Sequence, residues 1–195
     1  MRHHAAAAVA VLALASNPFR AAAQERLSPP PSLAGPGVQL YAFASGGWTV
    51  RETDPVENRV TDVELGSGAG LGASLTYHFT GWIGAYAGAE FGAEREGVYG
   101  SYGGGVLLRT ARRGAVRFHG RLGARIIDVV AALPYADLGL RGELFMTPAL
   151  ALAADLTAEV PLGSGSRHTG LRRVEVSPRG GPERISLGIS WYPSR

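Results

Sequence analysis

The sequence lacks both cysteine and lysine, and each absence narrows the kind of protein it can encode. All of its 19 basic residues are arginine, against 16 acidic residues, and the formal net charge is only +3. Without cysteine no disulfide framework exists, so stability must come from backbone pairing and packing. A planar guanidinium loses little entropy per hydrogen bond, which suits fixed ion pairs. The small net charge predicts no nucleic-acid partner.

Long hydrophobic runs are also missing, which excludes a transmembrane helix in most of the chain. No segment after residue 23 approaches ~18 consecutive apolar residues. Residues 1–23 combine Arg2, an apolar run and a small-residue site, and this pattern predicts a secretory signal peptide that is cleaved on export. The alternative, an N-terminal membrane helix, needs a run of ~20 apolar residues, which is longer than the one present. Residues 24–36 are rich in proline and predict an unstructured lead-in.

What the remaining sequence has is alternation. From residue 69 to residue 79 the odd positions are apolar and the even positions are glycine, serine, threonine or histidine. A period of two is that of a β-strand with one apolar face. Counting such segments predicts eight strands, at residues 37–48, 62–79, 82–94, 98–109, 115–128, 136–146, 149–160 and 183–192.

The predicted connections alternate in length. Residues 80–81, 110–114 and 147–148 form short links at one end, whereas the longer links at the other end are 49–61, 129–135 and 161–182, with residues 95–97 a short exception among them. Tight turns at one end and long loops at the other are typical of bacterial outer-membrane barrels, whose strands are flanked by aromatic girdles. The aromatic residues predicted in the girdle at the short-turn end are Tyr77, Phe79, Trp82, Trp191 and Tyr192.

These features predict an all-β protein, an eight-stranded antiparallel up-and-down transmembrane β-barrel over residues 37–192. The chain resembles the small eight-stranded outer-membrane barrel families, those of the OmpA transmembrane domain, OmpX and OmpW. The resemblance rests on pattern and not on a residue motif. It implies a bacterial outer-membrane protein, and we expect a monomer with outer-membrane lipid and lipopolysaccharide as partners. The alternative is a soluble eight-stranded barrel, which would turn its apolar face inward around a ligand.

The segment AVRFHGRLGARIID, residues 115–128, carries Arg117, Arg121 and Arg125 on one face and apolar residues on the other. In a membrane barrel the charged face points into the lumen, where charges must be paired because an unpaired one costs several kcal/mol. The predicted lumen charge network consists of Glu90, Glu94, Arg117, Arg121, Arg125, Arg141, Glu143, Asp155, Glu159 and Arg184. An eight-stranded barrel has an interior that side chains can fill, so no open pore is expected.

The apolar face of the same strands is predicted to contact lipid. Its members are Leu71, Leu75, Ile83, Phe91, Phe118, Leu122, Ile126, Leu140, Leu152, Leu156, Leu187 and Ile189.

Signals for catalysis and cofactors are weak. The glycines of residues 66–72 recur at every second position, which is strand periodicity and not a dinucleotide-binding fingerprint. No histidine cluster has the spacing of a zinc site. We therefore predict no cofactor, no metal and no enzymatic activity. One enzymatic alternative is a lipid A-modifying barrel, for which Ser164, Ser166 and His168 are the candidate residues.

The last long connection contains four arginines that predict an anion-binding loop, because arginine binds phosphate in a bidentate manner. They are Arg167, Arg172, Arg173 and Arg179. The alternative is a solvated loop whose charge is balanced by Glu175 and Glu183. The function expected from the sequence is a structural or surface-interaction role through the extracellular loops. Passive movement of small apolar molecules through a side opening is the second reading.

Overall fold

The computed structural model describes residues 35–94, 97–110, 114–170 and 172–193. The predicted signal peptide, residues 1–23, lies outside the described residues. The described chain is all β and runs through twelve strands: β1 Gly35–Ser45, β2 Trp48–Asp54, β3 Arg59–Leu65, β4 Gly68–His78, β5 Ile83–Glu94, β6 Gly97–Arg109, β7 Val116–Asp128, β8 Ala132–Phe145, β9 Leu150–Pro161, β10 Gly165–Thr169, β11 Arg172–Pro178 and β12 Glu183–Trp191.

Eight of these strands close into a barrel in the order β1-β12-β9-β8-β7-β6-β5-β4. Every neighbouring pair is antiparallel, and β1 pairs with both β4 and β12. The predicted fold class, an eight-stranded antiparallel up-and-down barrel, is confirmed. The part of the chain that the structure describes contains no helix that is long and apolar enough to cross a membrane.

The short links lie together at one end of the barrel, which we call the turn end. Two of them are built in the same way around a threonine hydroxyl. Thr80 Oγ1 accepts the backbone N–H of Ile83 at 3.0 Å, and Thr147 Oγ1 accepts that of Leu150 at 3.0 Å. A threonine side chain thereby replaces a backbone acceptor and keeps the turn tight.

The opposite end carries a second sheet, which we call the cap sheet, with the strand order β10-β11-β2-β3. These strands follow the order of β9, β12, β1 and β4 in the barrel, so the cap sheet continues half of the barrel wall. The prediction of loops at residues 49–61 and 161–182 is therefore wrong. The prediction of a single strand at 62–79 is also wrong, because this segment divides into β3 and β4.

Glycine marks every junction between barrel and cap sheet, at Gly46 and Gly47, Gly66, Gly163, and Gly180 and Gly181. Gly180 has a φ of 150°, which side-chain-bearing residues rarely adopt. A Cβ on Gly181 would lie 1.8 Å from the carbonyl oxygen of Glu159. These positions let the wall bend where β11 returns to the barrel. Because these glycines interrupt the alternation of apolar and polar residues, the pattern does not predict the cap strands.

The apolar face of the cap sheet packs on the β7–β8 hairpin across the barrel mouth. The long loop predicted at 129–135 is wrong, because β8 already begins at Ala132. The ring centroids of Trp48 and Tyr135 are 5.5 Å apart with an edge-to-face geometry. The apolar cluster at this end, the cap end, comprises Tyr41, Phe43, Trp48, Val50, Leu65, Tyr99, Ile127, Ala131, Leu133, Tyr135 and Val176.

The outer wall of the barrel is apolar and exposed. All of the residues predicted to face lipid are exposed except Ile83 and Ile126, which are half-buried. The soluble alternative is wrong, since it needs these side chains inside. We call the exposed apolar residues of the wall the outer belt, and its main members are Leu40, Leu71, Leu75, Phe91, Tyr102, Phe118, Leu122, Leu140, Leu152, Leu156, Leu187 and Ile189.

Candidate functional site

The centre of the lumen charge network is Arg125, which β7 directs inward. Its side chain is 3% exposed and forms an ion pair with Glu90. It also approaches Asp137 Oδ2 at 3.6 Å through Nη2 and Glu159 Oε1 at 3.5 Å through Nε. Strands β5, β8 and β9 supply the three carboxylates, and β8 alone of these pairs with β7, so Arg125 also joins two strands that are not its neighbours. A buried cation needs carboxylate partners because removing its charge from water costs several kcal/mol of free energy.

A second arginine, Arg184 of β12, contacts two of the same carboxylates. It forms ion pairs with Glu90 and Glu159. The hydroxyl of Tyr41 donates to Glu90 Oε1 at 2.8 Å, and that of Ser101 donates to Glu90 Oε2 at 2.9 Å. Both oxygens of Glu90 therefore have partners, which is the condition for keeping a charge in a packed interior.

Nearer the middle of the barrel, Arg121 pairs with Asp137, a carboxylate outside the predicted lumen charge network. Arg121 Nη2 lies 3.0 Å from Asp137 Oδ1, and the hydroxyl of Tyr86 donates to Asp137 Oδ2 at 2.8 Å. Asp137 shares the inward phase of Arg141 and Glu143, two selected residues of the same strand. The predicted strand at 136–146 already contains Asp137, so following its alternation back from Arg141 would have found it.

Glycine makes room for the tyrosines that bind these carboxylates. A Cβ on Gly123 would lie 2.3 Å from the hydroxyl oxygen of Tyr86, and one on Gly72 would lie 2.4 Å from Cζ of Tyr41. Both glycines face the lumen, where the aromatic rings cross the inner surface of the wall. Glycines on the inner face therefore leave room for aromatic side chains in the lumen.

A separate pair occupies the side of the lumen formed by β8, β9 and β12. Arg141 Nε lies 2.6 Å from Asp155 Oδ1. The amide of Gln39 donates to Asp155 Oδ2 at 2.9 Å, and the hydroxyl of Ser186 donates to the same oxygen at 3.2 Å. The Arg141–Asp155 pair is separate from the first group, because it does not share a carboxylate with Arg125.

At the turn end the network changes from arginine pairs to histidine and aromatic contacts. His119 Nε2 lies 2.8 Å from Glu143 Oε2, and the hydroxyl of Tyr192 donates to Glu143 Oε1 at 2.5 Å. The guanidinium of Arg117 stands 4.8 Å from the ring centroid of Phe145 and 5.9 Å from that of Tyr192. The placement of Tyr192 in the outer girdle is wrong, because it is buried at 8% exposure. Tyr77, Phe79, Trp82 and Trp191 are exposed.

Glu94 lies at the cap end of β5 and is half-buried. A Cβ on Gly68 of β4 would meet its Cγ at 2.6 Å, so the side chain lies against the neighbouring strand. Within the described ranges no ion pair joins it to the other selected charges. The network thus brings nine of the ten selected residues into pairs or ring contacts, and Asp137 completes it.

Of the four arginines of the predicted anion-binding loop, Arg167 and Arg172 come together on one face of the cap sheet, whereas Arg173 and Arg179 lie elsewhere. Arg167 Nη2 lies 2.8 Å from Glu52 Oε2, and Arg172 forms an ion pair with Glu57. Arg173 is exposed on the other face of β11, and Arg179 is exposed beyond its end. Elsewhere on the cap sheet, the hydrogen bond from Arg51 holds the pKa of Asp62 below its usual value.

The candidate residues for lipid A chemistry lie on or beside β10, with Ser164 directly before the strand. Ser166 and His168 lie on β10, where their partners across the ladder are Glu175 and Arg173. In the described part of the chain no hydrogen bond links His168 to a serine or a carboxylate. No group of three or more histidine or acidic side chains among the described residues is placed to hold a metal ion.

The barrel closure, the charged lumen and the apolar outer wall are features of the fold class of eight-stranded outer-membrane β-barrels. The structure is similar to the outer membrane protein OprG from Pseudomonas aeruginosa, with a TM-score of 0.55 and 10% identity over 87% of this chain and 100% of that chain. It is also similar to the N-terminal β-barrel domain of OprF from the same organism, with a TM-score of 0.50 and 11% identity over 81% of this chain and 98% of that chain. These likenesses show the fold. No protein-family model and no curated protein matches the sequence.

Proposed function

We propose that this protein is an integral protein of the bacterial outer membrane, with a lumen closed by ion pairs and a surface-interaction role carried by the cap sheet. The outer belt is the observation that carries this proposal. Leu71, Leu122 and Leu140 are 59–69% exposed on the barrel wall. Apolar area of this extent costs free energy in water at about 25 cal/mol per Å², and lipid removes that cost. With the short turns toward the periplasm, the cap sheet faces outward.

The first prediction concerns this topology. An epitope inserted at Asn58, in the β2–β3 turn, is expected to be reached by antibody on intact cells. Asn58 suits insertion because it is exposed and already has a φ of 51° in a turn. An epitope at residue 148, between β8 and β9, is the matched control and should be reached only after the outer membrane is permeabilised. The reverse pattern, or recovery of the protein in the soluble periplasm, contradicts the proposal.

An apolar recess in the outer wall favours passive movement of small apolar molecules as a second candidate function. The recess has a volume of about 450 Å³ and surrounds Gly120, with Leu108, Leu122 and Leu140 in its wall. Arg121 and Gly139 also line it. Any path from the recess into the lumen therefore meets the Arg121–Asp137 ion pair, so the first proposal is preferred.

The second prediction separates the two candidates. Protein reconstituted in planar bilayers is expected to show no steady conductance, because the lumen charges are paired and the mouth is closed by the cap end cluster. Vesicles containing it should take up a small apolar fluorophore at the rate of empty vesicles. The Trp48→Gly, Tyr135→Gly double variant removes the two rings that meet at the mouth. It is the comparison that shows how conductance and uptake respond when the mouth is opened. Steady ion current through the unaltered protein would refute the closed lumen, and faster fluorophore uptake would favour the second candidate.

A further inference from the structure

The cap sheet carries a charged cleft near the tips of its two hairpins, away from the lumen network. Its volume is about 300 Å³, and we call it the cap cleft. Three arginines and three carboxylates line it: Arg59, Arg167, Arg172, Glu52, Asp54 and Glu57. The ladder places Arg59 opposite Asp54 and Thr61 opposite Glu52. Their side chains share the face of the sheet that carries Val50, and the cleft therefore continues that face beyond the barrel mouth.

Two donors in the cap cleft have no acceptor among the described residues. Arg172 is held by its ion pair with Glu57, and Arg167 Nη2 is held by Glu52 at 2.8 Å. Arg167 Nε is buried and has no hydrogen-bond partner among the described residues. The described carboxylates all lie more than 4 Å from the guanidinium of Arg59. The exposed guanidinium of Arg59 lines the cleft, where it favours a phosphate or a carboxylate, which accepts two N–H groups at once.

The remaining lining groups indicate what else the ligand carries. Three arginines balance three carboxylates, so the field in the cleft does not favour a bare anion over water. Glu52 and Glu57 keep acceptor lone pairs beyond their ion pairs, and each carboxylate has about four such sites. The hydroxyls of Thr61 and Thr169 also line the cleft and can donate or accept. Sugar hydroxyls match this mixture of acceptors and donors.

We propose that the cap cleft binds a phosphorylated saccharide. Its phosphate lies on Arg59 and Arg167, and its hydroxyls lie on Glu52, Glu57 and the two threonines. The volume is at the lower end of the ~300–1,000 Å³ common for ligand sites, which fits one or two sugar rings. The binding chemistry is independent of cellular location. Only the source of the ligand, the outer leaflet or the surroundings of the cell, rests on the proposed function.

The test uses the full chain purified in detergent and titrated with glucose 1-phosphate, glucose and inorganic phosphate by calorimetry. Glucose 1-phosphate is expected to bind at least about tenfold more tightly than either other probe, because charged hydrogen bonds and hydroxyl contacts add. Arg59→Gln should weaken it about tenfold. The matched control is Arg173→Gln, which removes the same charge from the opposite face of β11 and should leave binding unchanged. Unchanged denaturation midpoints in both variants show that the sheet is intact.

Equal affinity for the three probes, or an equal loss in Arg59→Gln and Arg173→Gln, overturns the proposal. A second variant, Thr61→Val, removes one hydroxyl without changing charge and should weaken glucose 1-phosphate but not inorganic phosphate. Competition by lipopolysaccharide micelles assigns the ligand to the outer leaflet. Binding of a soluble phosphorylated oligosaccharide without such competition assigns it to the surroundings. Failure of the proposed function would appear in the Asn58 epitope experiment and not in this titration.

Discussion

Replacing Arg125 with leucine is expected to lower the free energy of unfolding by about 3–5 kcal/mol, as for other buried ion pairs that lose one partner. Arg125 faces Glu90, Asp137 and Glu159 in a part of the lumen where every one of these side chains is nearly inaccessible to water. Leucine fills part of the volume but leaves the three carboxylates to repel one another. Arg184 and Arg121 then have to neutralise all of them.

The measurement is equilibrium unfolding in urea of the protein folded into lipid vesicles. Arg173→Leu removes an exposed arginine from the cap sheet and should change the free energy of unfolding by less than about 1 kcal/mol. Adding Glu159→Gln to Arg125→Leu should recover part of the loss, because one uncompensated charge is removed. If Arg125→Leu is no more destabilising than Arg173→Leu, the lumen network does not stabilise the fold.

The second large effect is expected at Leu122, whose replacement by arginine should cost about 2–4 kcal/mol in lipid. Leu122 is 59% exposed in the middle of β7 and belongs to the outer belt. A guanidinium at that depth has neither water nor a carboxylate beside it. The side chain is too far from either end of the strand to reach the interface easily.

Leu162 provides the matched control, since it is 61% exposed but lies in the junction between β9 and β10. Leu162→Arg is expected to cost between about 0 and 1 kcal/mol, because the penalty falls toward the membrane interface. The same unfolding assay compares the two variants. Equal costs for Leu122→Arg and Leu162→Arg would show that depth is not the cause. A neutral Leu122→Arg would contradict a lipid-facing β7.

The barrel was predictable because its strands alternate for eleven to fourteen residues in most cases. The cap sheet was not, although Val50, Val63 and Val176 carry the same alternation. Each cap strand has only five to seven residues and is separated from its barrel strand by glycine. A short alternating segment beside a glycine pair has the same composition as a loop. What decides between them is the apolar surface of the β7–β8 hairpin, which lies far away in sequence.

The inward charges followed from the same alternation, but their partners did not. Arg121, for example, pairs with Asp137, a carboxylate that was not among the predicted lumen charges. Partners across a lumen depend on the shear of the barrel, which shifts each strand against the next. Side-chain length matters as well, since Arg125 reaches strands β5, β8 and β9. The shear cannot be read from a single sequence, and without it the reach of an arginine does not identify its partner.

The barrel closes where its first strand, β1, pairs with its last, β12. This joint is the only pair of neighbouring strands in the described barrel that no hairpin connects. Eight residue pairs close that joint, from Val38 with Trp191 to Ser45 with Arg184. The cap sheet adds four more pairs directly beyond it, from Val50 with Pro178 to Thr53 with Glu175. The cap sheet therefore extends the contact that closes the ring, between segments far apart in sequence. How long a closed ring survives before it opens depends on residues outside the ring, and weakening β2 or β11 should speed opening.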